Sequence, residues 1–319
     1  MNNSIFKVLR PGINTTYQDG GRFGLQHFGI PPSGCMDQKS FLVANALVGN
    51  KKNYGVIEFA YQGPLLKLIK GKTKIAVTGN VVFKIVNLNN DPFVAECNRS
   101  YDLNEGDQID ILATNKSAYG YLSVAGGFKI DSFCNSVSTL VKAHIGHNDG
   151  KKINNDDEII INNIRKSEKF FKADIALENN NIIRVLKGPQ YDYFSEESKK
   201  IFFSQPYKVS NLTDRMGMRL EGQILKNIVN TNIRSEGITQ GAIQVPGDGQ
   251  PIILLTDCPT IGGYPKIANV ITADYDLLIQ KIPGTNISFQ CIELEEAEKL
   301  YKKKNENISK IIQNIKEID

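Results

Sequence analysis

A chain of 319 residues with 41% apolar content can bury a sizeable core, and at roughly 100–200 residues per domain it divides most naturally into two. Its formal charge is +4, from 38 basic and 34 acidic residues, too weak a field to hold nucleic acid by itself, and there is no basic arm. The five cysteines (Cys35, Cys97, Cys134, Cys258, Cys291) are odd in number and at least 33 residues apart, which argues against a disulfide framework or a cysteine-based zinc site and for reduced, cytoplasmic thiols. No apolar stretch approaches the roughly 20 residues that cross a bilayer, and the start MNNSIFKVLRPG lacks the basic run and apolar core of a secretion signal.

Short apolar or β-branched runs bounded by Gly, Asn, Asp or Pro predict strands at Phe6–Leu9, Val56–Phe59, Leu65–Ile69, Lys74–Val77, Val81–Val86, Gln108–Leu112, Tyr119–Val124 and Ile159–Ile161. A helix is predicted over Asp37–Leu47, opened by an Asp cap. The polar interval 151–180 precedes Ile183–Lys187 (IRVLK), an echo of Phe6–Arg10 (FKVLR); both are followed by a Pro and Gly pair. This places a boundary near 176, with an N-terminal domain over 1–175 and a C-terminal one over 176–319. The second half repeats the strand grammar at Lys200–Phe203, Gln223–Leu225, Ala242–Val245, Pro251–Leu255, Leu277–Ile282 and Ser288–Ile292. From Glu293 onward the spacing turns helical, and the charged stretch KKKNEN predicts a packed helix followed by a second, frayed one.

The run Thr16–Asp37 holds seven glycines or prolines; Arg22 and Gln26 can project polar groups from such a loop. It matches neither the phosphate-loop nor the dinucleotide pattern, so nucleotide binding is not indicated. His144 and His147 form the pair HIGH, but no carboxylate accompanies them at metal-ligand spacing, and no metal site is expected. No serine or cysteine stands in a nucleophile signature. Lysine outnumbers arginine 30 to 8, so Arg215, Arg219 and Arg234, within 20 residues of one another, draw notice.

The densest constellation runs from Thr213. TDRMGMRLEG is followed by RSEG, then by GAIQVPGDGQPIILLTD and GGYPK. A small substrate bearing a carboxylate or amide needs a guanidinium for a planar anion, Gln amides to donate and accept, and a carboxylate to act as base or to orient. These residues supply that chemistry: Arg215, Asp257 and Lys266 as catalytic candidates, and Arg22, Gln26, Arg234, Glu236, Gln244, Gln250 and Tyr264 as substrate-binding candidates. Each alone has an ordinary structural explanation, whether a hairpin glycine, a surface ion pair or a backbone cap. Their density beside the apolar run Ile252–Leu255 marks the stretch Ser235–Lys266 as a working surface.

Several long motifs in order, VLRPGINTTYQDGGRFGLQHFGIPPSGCMD with ANALVGN, VLKGPQYDYF, TDRMGMRLEG and SEGITQGAIQVPGDGQPIILLTDCPTIGGYPK, resemble the family that comprises the 5-oxoprolinase C subunit, allophanate hydrolase subunit 2 and the biotin-dependent carboxyltransferase domain. The resemblance covers nearly the whole chain. It implies a mainly β fold of two cyclophilin-like β-barrel domains with a few helices, and a companion B subunit that shares the site. The chain departs from the family at STLVKAHIGHNDGKKI, with Lys142 and Lys151 at usual Arg positions and His147 at a usual Gly. It departs again at Cys258 and Pro259.

The resemblance implies a bacterial, ATP-dependent amidohydrolase in which this chain, inactive alone, acts with the A and B subunits to open 5-oxoproline, a lactam, to L-glutamate. ATP then belongs to the complex, in this chain or a partner. Arg215 or Arg234 would face the substrate carboxylate and Gln244 or Gln250 the lactam amide, with Asp257, Tyr264 and Lys266 completing the pocket. Two alternatives stand beside this: carboxyl transfer from carboxybiotin to urea, and non-enzymatic antagonism of a kinase inhibitor that resembles the B subunit. No lysine stands in a biotin-attachment context such as A-M-K-M, and no ATP-grasp segment is present.

Overall fold

The computed structural model describes residues 3–88, 91–162, 168–176, 178, 180–229 and 232–318. They form two compact units, one of Met1–Arg22, Ser33–Leu177 and Asn307–Asp319, the other of Phe23–Pro32 and Glu178–Glu306. The expected division at 175/176 falls near the change at 177/178, but both units are discontinuous. Residues 23–32 of the glycine-rich run group with the second unit, and the last residues, expected in the C-terminal domain, group with the first.

The first unit contributes β1 (Ser4–Arg10), β2 (Thr16–Gln18), α1 (Gln38–Leu47), β3 (Val56–Ala60), β4 (Leu65–Lys70), β5 (Thr73–Thr78), β6 (Val81–Val86), β7 (Phe93–Ala95), β8 (Arg99–Leu103), β9 (Gln108–Thr114), β10 (Tyr119–Val124), β11 (Glu158–Ile161) and β12 (Phe170–Lys172). They make a six-stranded sheet, β11-β1-β4-β9-β6-β7, and a second sheet that begins β2-β3-β10-β5-β8-β12. Alternate residues of both sheets, among them Phe6, Val8, Leu66, Phe83 and Ile109 from one and Ile57, Phe59, Ile75, Val77 and Leu122 from the other, form one core. The far face of β5 packs Ala76 against Val43 and Leu47 of α1. All six residues of β5 are therefore buried. Asp37 caps α1, accepting from the Ser40 amide at 2.9 Å, as its position before the apolar periodicity predicts.

The second unit holds β13 (Ile182–Lys187), α2 (Glu196–Ser204), β14 (Tyr207–Val209), β15 (Gly217–Glu221), β16 (Glu236–Gly237), β17 (Ala242–Gln244), β18 (Ile252–Leu254), β19 (Ile261–Gly262), β20 (Lys266–Val270), α3 (Tyr275–Ile279) and β21 (Asn286–Cys291). Seven strands close into a barrel in the order β13-β20-β17-β18-β15-β14-β21. The parallel pair β13–β21, with Ile183 opposite Phe289, seals the ring. The fold is mainly β with few helices, as expected; the closed ring belongs to this unit, while the first unit spreads its strands over two sheets. The β16–β19 ladder is a separate two-stranded sheet in which Glu236 pairs with Gly262 and Gly237 with Ile261.

Three predicted strands differ. Lys200–Phe203 lies in α2, because Ser195 caps the preceding turn and Glu196 and Glu197 sit where the helix dipole favours negative charge. Leu277–Ile282 begins inside α3. Gln223–Leu225 lies outside any strand, the pairing segment being β15 just before it. At the C-terminus a single helix, α4 (Leu294–Gln313), replaces the predicted pair and leads to β22 (Lys316–Ile318), which pairs with β12. KKKNEN does not break α4 because Lys304 turns inward to Asp276 at 2.9 Å, where both side chains are largely buried.

Phe202 of α2 is fully buried and stacks on Phe289 of β21, with ring centroids 4.5 Å apart. Phe202→Ala is expected to cost about 3–5 kcal/mol of the second unit's stability, read from hydrogen exchange of the barrel amides. Phe23→Ala, at a position 74% exposed, should change stability by no more than about 0.5 kcal/mol.

Candidate functional site

Strand alternation decides which side chains can meet on the barrel. All three residues of β17 are buried, yet Ile243 must point to one face and Ala242 and Gln244 to the other. On that second face Ala242 packs with Leu254, Cys258, Ile252 and Ile238. The β16–β19 ladder lies against the same region. A Cβ placed on Gly262 would stand 2.6 Å from Gln244 Nε2, so the ladder lies directly over the end of the Gln244 side chain.

Gln244 pairs across the barrel sheet with Lys266, the first residue of β20. Lys266 is 4% exposed, and its ammonium donates to Glu236 Oε1. Gln190 donates to the same oxygen through Nε2 at 2.8 Å and accepts from the Lys266 backbone N–H at 3.2 Å. The turn carrying Gln190 is pinned to β20 because Gly188 donates to the Ile267 carbonyl at 2.9 Å. A Cβ on Gly188 would collide with the Lys266 carbonyl oxygen. Hydrogen bonding from Lys266, reinforced by Gln190, holds the Glu236 carboxyl below the usual carboxylate range. Gln244 Nε2 is buried and has no hydrogen-bond partner among the described residues.

A second cluster surrounds Arg215. Its Nε and Nη2 donate to Asp257 Oδ2 and Oδ1 at 2.7 and 3.1 Å, a forked pair in which both side chains are largely buried. The Asp257 amide also donates to the Arg215 carbonyl at 2.9 Å. In the same part of the unit, Gln240 donates to the Thr256 hydroxyl at 3.4 Å, and that hydroxyl bonds the Tyr275 phenol at 2.9 Å. Burial pushes the Tyr275 phenol well above its ordinary range, so it is a neutral hydrogen-bonding group. Burial, aided by the Asp257 charge, pushes the Cys258 thiol up to about 11. At neutral pH it is an inert thiol and no nucleophile.

The remaining predicted site residues are placed differently. Arg22 is buried in the first unit and donates to the Ser138 carbonyl. Gln26 is exposed on a one-turn helix, with no side-chain hydrogen bond among the described residues. Arg234 is exposed and forms no ion pair among the described residues. Both ends of the Gln250 amide bond the backbone of Gly222, accepting from its N–H at 2.9 Å and donating to its carbonyl at 3.0 Å. That amide works as a strand extension. Tyr264 is 40% exposed. The predicted set thus divides into a joined trio of Glu236, Gln244 and Lys266, a joined pair of Arg215 and Asp257, and five residues outside both clusters. Gln190, absent from the sequence-derived set, belongs to the trio.

His144 and His147 do not share a helical face. His144 takes a left-handed backbone conformation, with φ 54°, and His147 pairs with Asp131 at 3.2 Å. Among the described residues no group of three or more His, Cys, Asp or Glu is placed to hold a metal ion, and no helix is long and apolar enough to cross a membrane.

Residues 28–291 match the model of the carboxyltransferase domain, subdomains A and B. The chain belongs to this carboxyltransferase family. The chain is 33% identical over 304 residues to the 5-oxoprolinase C subunit of Escherichia coli, spanning 92% of this chain and 93% of that protein. It is 35% identical over 302 residues to the 5-oxoprolinase C subunit of Haemophilus influenzae, spanning 94% of each. Its fold superposes on the crystal structure of the Kluyveromyces lactis urea carboxylase with a TM-score of 0.88 at 29% identity, covering 98% of this chain but only 29% of that one.

Arg215 and Asp257 meet in a largely buried fork, so removing either partner strands a buried charge. Arg215→Ala and Asp257→Ala are each expected to lower stability by about 3–5 kcal/mol. The double variant should cost less than the two together in urea unfolding; additive losses would show that the two side chains do not interact.

Proposed function

We propose that this chain is the C subunit of an ATP-dependent 5-oxoprolinase, inactive alone, that works in the cytoplasm with the A and B subunits of that enzyme to open 5-oxoproline to L-glutamate. The observation that carries the reading is end-to-end coverage. At 33% and 35% identity, this chain and two proteins named as 5-oxoprolinase C subunits cover 92–94% of one another. The match to the urea amidolyase of Lachancea kluyveri, at 30% identity, takes in 17% of that protein.

The local chemistry agrees with a lactam. A ring amide offers a carbonyl to a donor and an N–H to an acceptor, and 5-oxoproline adds a carboxylate that calls for a cation. Lys266, Gln190 and Gln244 present an ammonium and two amides within one buried cluster. Amide resonance makes ring opening unfavourable without activation, and ATP supplies that activation in the complex.

This chain is a poor host for the nucleotide. Among the described residues, the three helices of eight or more residues all begin beside carboxylates, Asp37 for α1, Glu196 and Glu197 for α2, and Glu295 and Glu296 for α4, which repel phosphate where a helix start would otherwise attract it. We therefore assign ATP to one of the partners and the orientation of the lactam to this chain.

The second reading, carboxyl transfer from carboxybiotin to urea, is favoured by the urea carboxylase superposition. Urea is also an amide, and the same donors would serve it. Mixing this chain with the A and B subunits, ATP and 5-oxoproline separates the readings. Glutamate release that disappears when this chain is omitted is the expected result. Carboxybiotin decay dependent on urea would replace it with the carboxylase reading, and binding to the B subunit with neither activity would leave a regulatory antagonist. In the active complex Gln244→Ala should lower kcat by roughly 10²-fold while the subunits still assemble; an unchanged rate would remove Gln244 from the site.

A further inference from the structure

The Lys266 cluster has an asymmetry that an ordinary structural ion pair does not need. Three donors reach it from different parts of the second unit: Gln190 from the turn after β13, Gln244 from β17 and Lys266 from β20. All three are more than nine-tenths buried. The acceptor of Lys266 and Gln190, Glu236, is 42% exposed at its side chain and comes from the two-residue strand β16, outside the barrel sheet. Both hydrogen bonds fall on Oε1. Gln244 Nε2, held against Gly262 directly across the ladder from Glu236, has no partner among the described residues.

We propose that Lys266, Gln190 and Gln244 form a carboxylate-binding cradle whose resident occupant is the chain's own Glu236, and that a small substrate carboxylate enters by displacing it. A buried ammonium cannot be left without a counter-charge, which is why the cradle carries a built-in carboxylate. Exchange of one carboxylate for another preserves that ion pair, and the displaced Glu236 side chain is already half in water. Gln244 is the donor that the tethered carboxylate does not satisfy. It selects for a ligand bearing a second acceptor, an amide carbonyl, on the same small frame. Gln190 is a positioning residue as well as a donor, since its side-chain carbonyl is anchored by the Lys266 backbone. The cradle's specificity for a carboxylate stands on this geometry; that the carboxylate is that of 5-oxoproline rests on the function proposed above.

Thermal melting of the full chain tests the cradle without any partner protein. Glu236→Ala leaves Lys266 unpaired and should melt at a lower temperature than the wild type. Sodium acetate should restore the melting temperature by about 3 °C or more, whereas sodium chloride at equal ionic strength should not. Adding Lys266→Met to Glu236→Ala should abolish the acetate effect. If Glu236→Ala does not fold, Glu236→Gln retains the shape and an acceptor, and calorimetric titration then reads the affinity for acetate directly, expected to be at least tenfold tighter than in the wild type. Absence of acetate rescue in a folded Glu236→Ala, or affinity in Glu236→Gln no tighter than in the wild type, would overturn the cradle. 5-Oxoproline should act at lower concentration than acetate, and 2-pyrrolidone, the same lactam without the carboxylate, should not act. Acetate rescue without any effect of 5-oxoproline would keep the cradle and reject the substrate. Glutamate release by the reconstituted complex without acetate rescue would keep the function and reject the cradle.

Discussion

An ammonium group buried at the first residue of a barrel strand is the constraint around which the second unit's outer layer is arranged. Lys266 is nearly inaccessible, and an unpaired charge in that position would cost several kcal/mol. The counter-charge comes from Glu236, which brings the β16–β19 ladder down on the barrel face. The turn bearing Gln190 requires a residue without a side chain at Gly188, where a Cβ would meet the backbone of β20. One charge thus accounts for a ladder, a turn and the glycine at 188.

The two ion pairs of this unit differ in a way that assigns them different work. Arg215 and Asp257 meet by two hydrogen-bonding arms, backed by a backbone bond between the same residues, with both side chains largely buried. The fork uses the Nε and Nη2 edge of the guanidinium, and its planar geometry suits a brace better than lysine would. Lys266 and Glu236 are joined through one carboxylate oxygen, with the acid half exposed. The first pair resists exchange because breaking it strands two charges. In the second, solvent already receives one partner.

Much of this arrangement is legible from residue types, and the illegible part has a consistent cause. Periodicity and turn residues locate most strands of the first unit, and Asp37 announces α1, because these depend on local spacing and capping. The same grammar misreads Lys200–Phe203, where an apolar run of four is too short to distinguish strand from helix and the Ser195 cap with its two glutamates decides. KKKNEN looks like a break because charge is assumed to face water, yet Lys304 has an acid waiting beneath it. At the site, Glu236, Gln244 and Lys266 lie in one dense stretch and are visible as a group. Gln190 lies far upstream and is brought in only by the antiparallel register of β13 with β20, where Lys187 opposes Ala268. A hint exists: KGPQY follows the strand that echoes the chain's first, so a turn leaving that strand is a place to look. Gln250 lies outside the cluster for a local reason. A glutamine beside glycines in a motif resembles a ligand, but a free backbone edge at Gly222 claims both ends of its amide.

The stretch from Ser235 to Lys266 therefore has a physical reason for its density. It runs out along β16, returns through β17 and β18 in the barrel, passes back over itself in β19 and re-enters the barrel at β20. A single run of chain thus supplies two layers, a floor with Gln244 and Lys266 and a cover with Glu236 and Gly262. Groups on the floor are fixed by a closed ring of strands, which suits donors that must hold their geometry. The group on the cover hangs from a two-residue ladder, which suits an acceptor that must leave. Amide chemistry on a lactam and on urea asks for the same floor; 5-oxoproline carries its own carboxylate, whereas in the urea reaction the carboxylate arrives on carboxybiotin. A cover that carries a carboxylate is the complement to a ligand that has one, and it fits the resident Glu236 to a ligand that joins a carboxylate and an amide on one small frame.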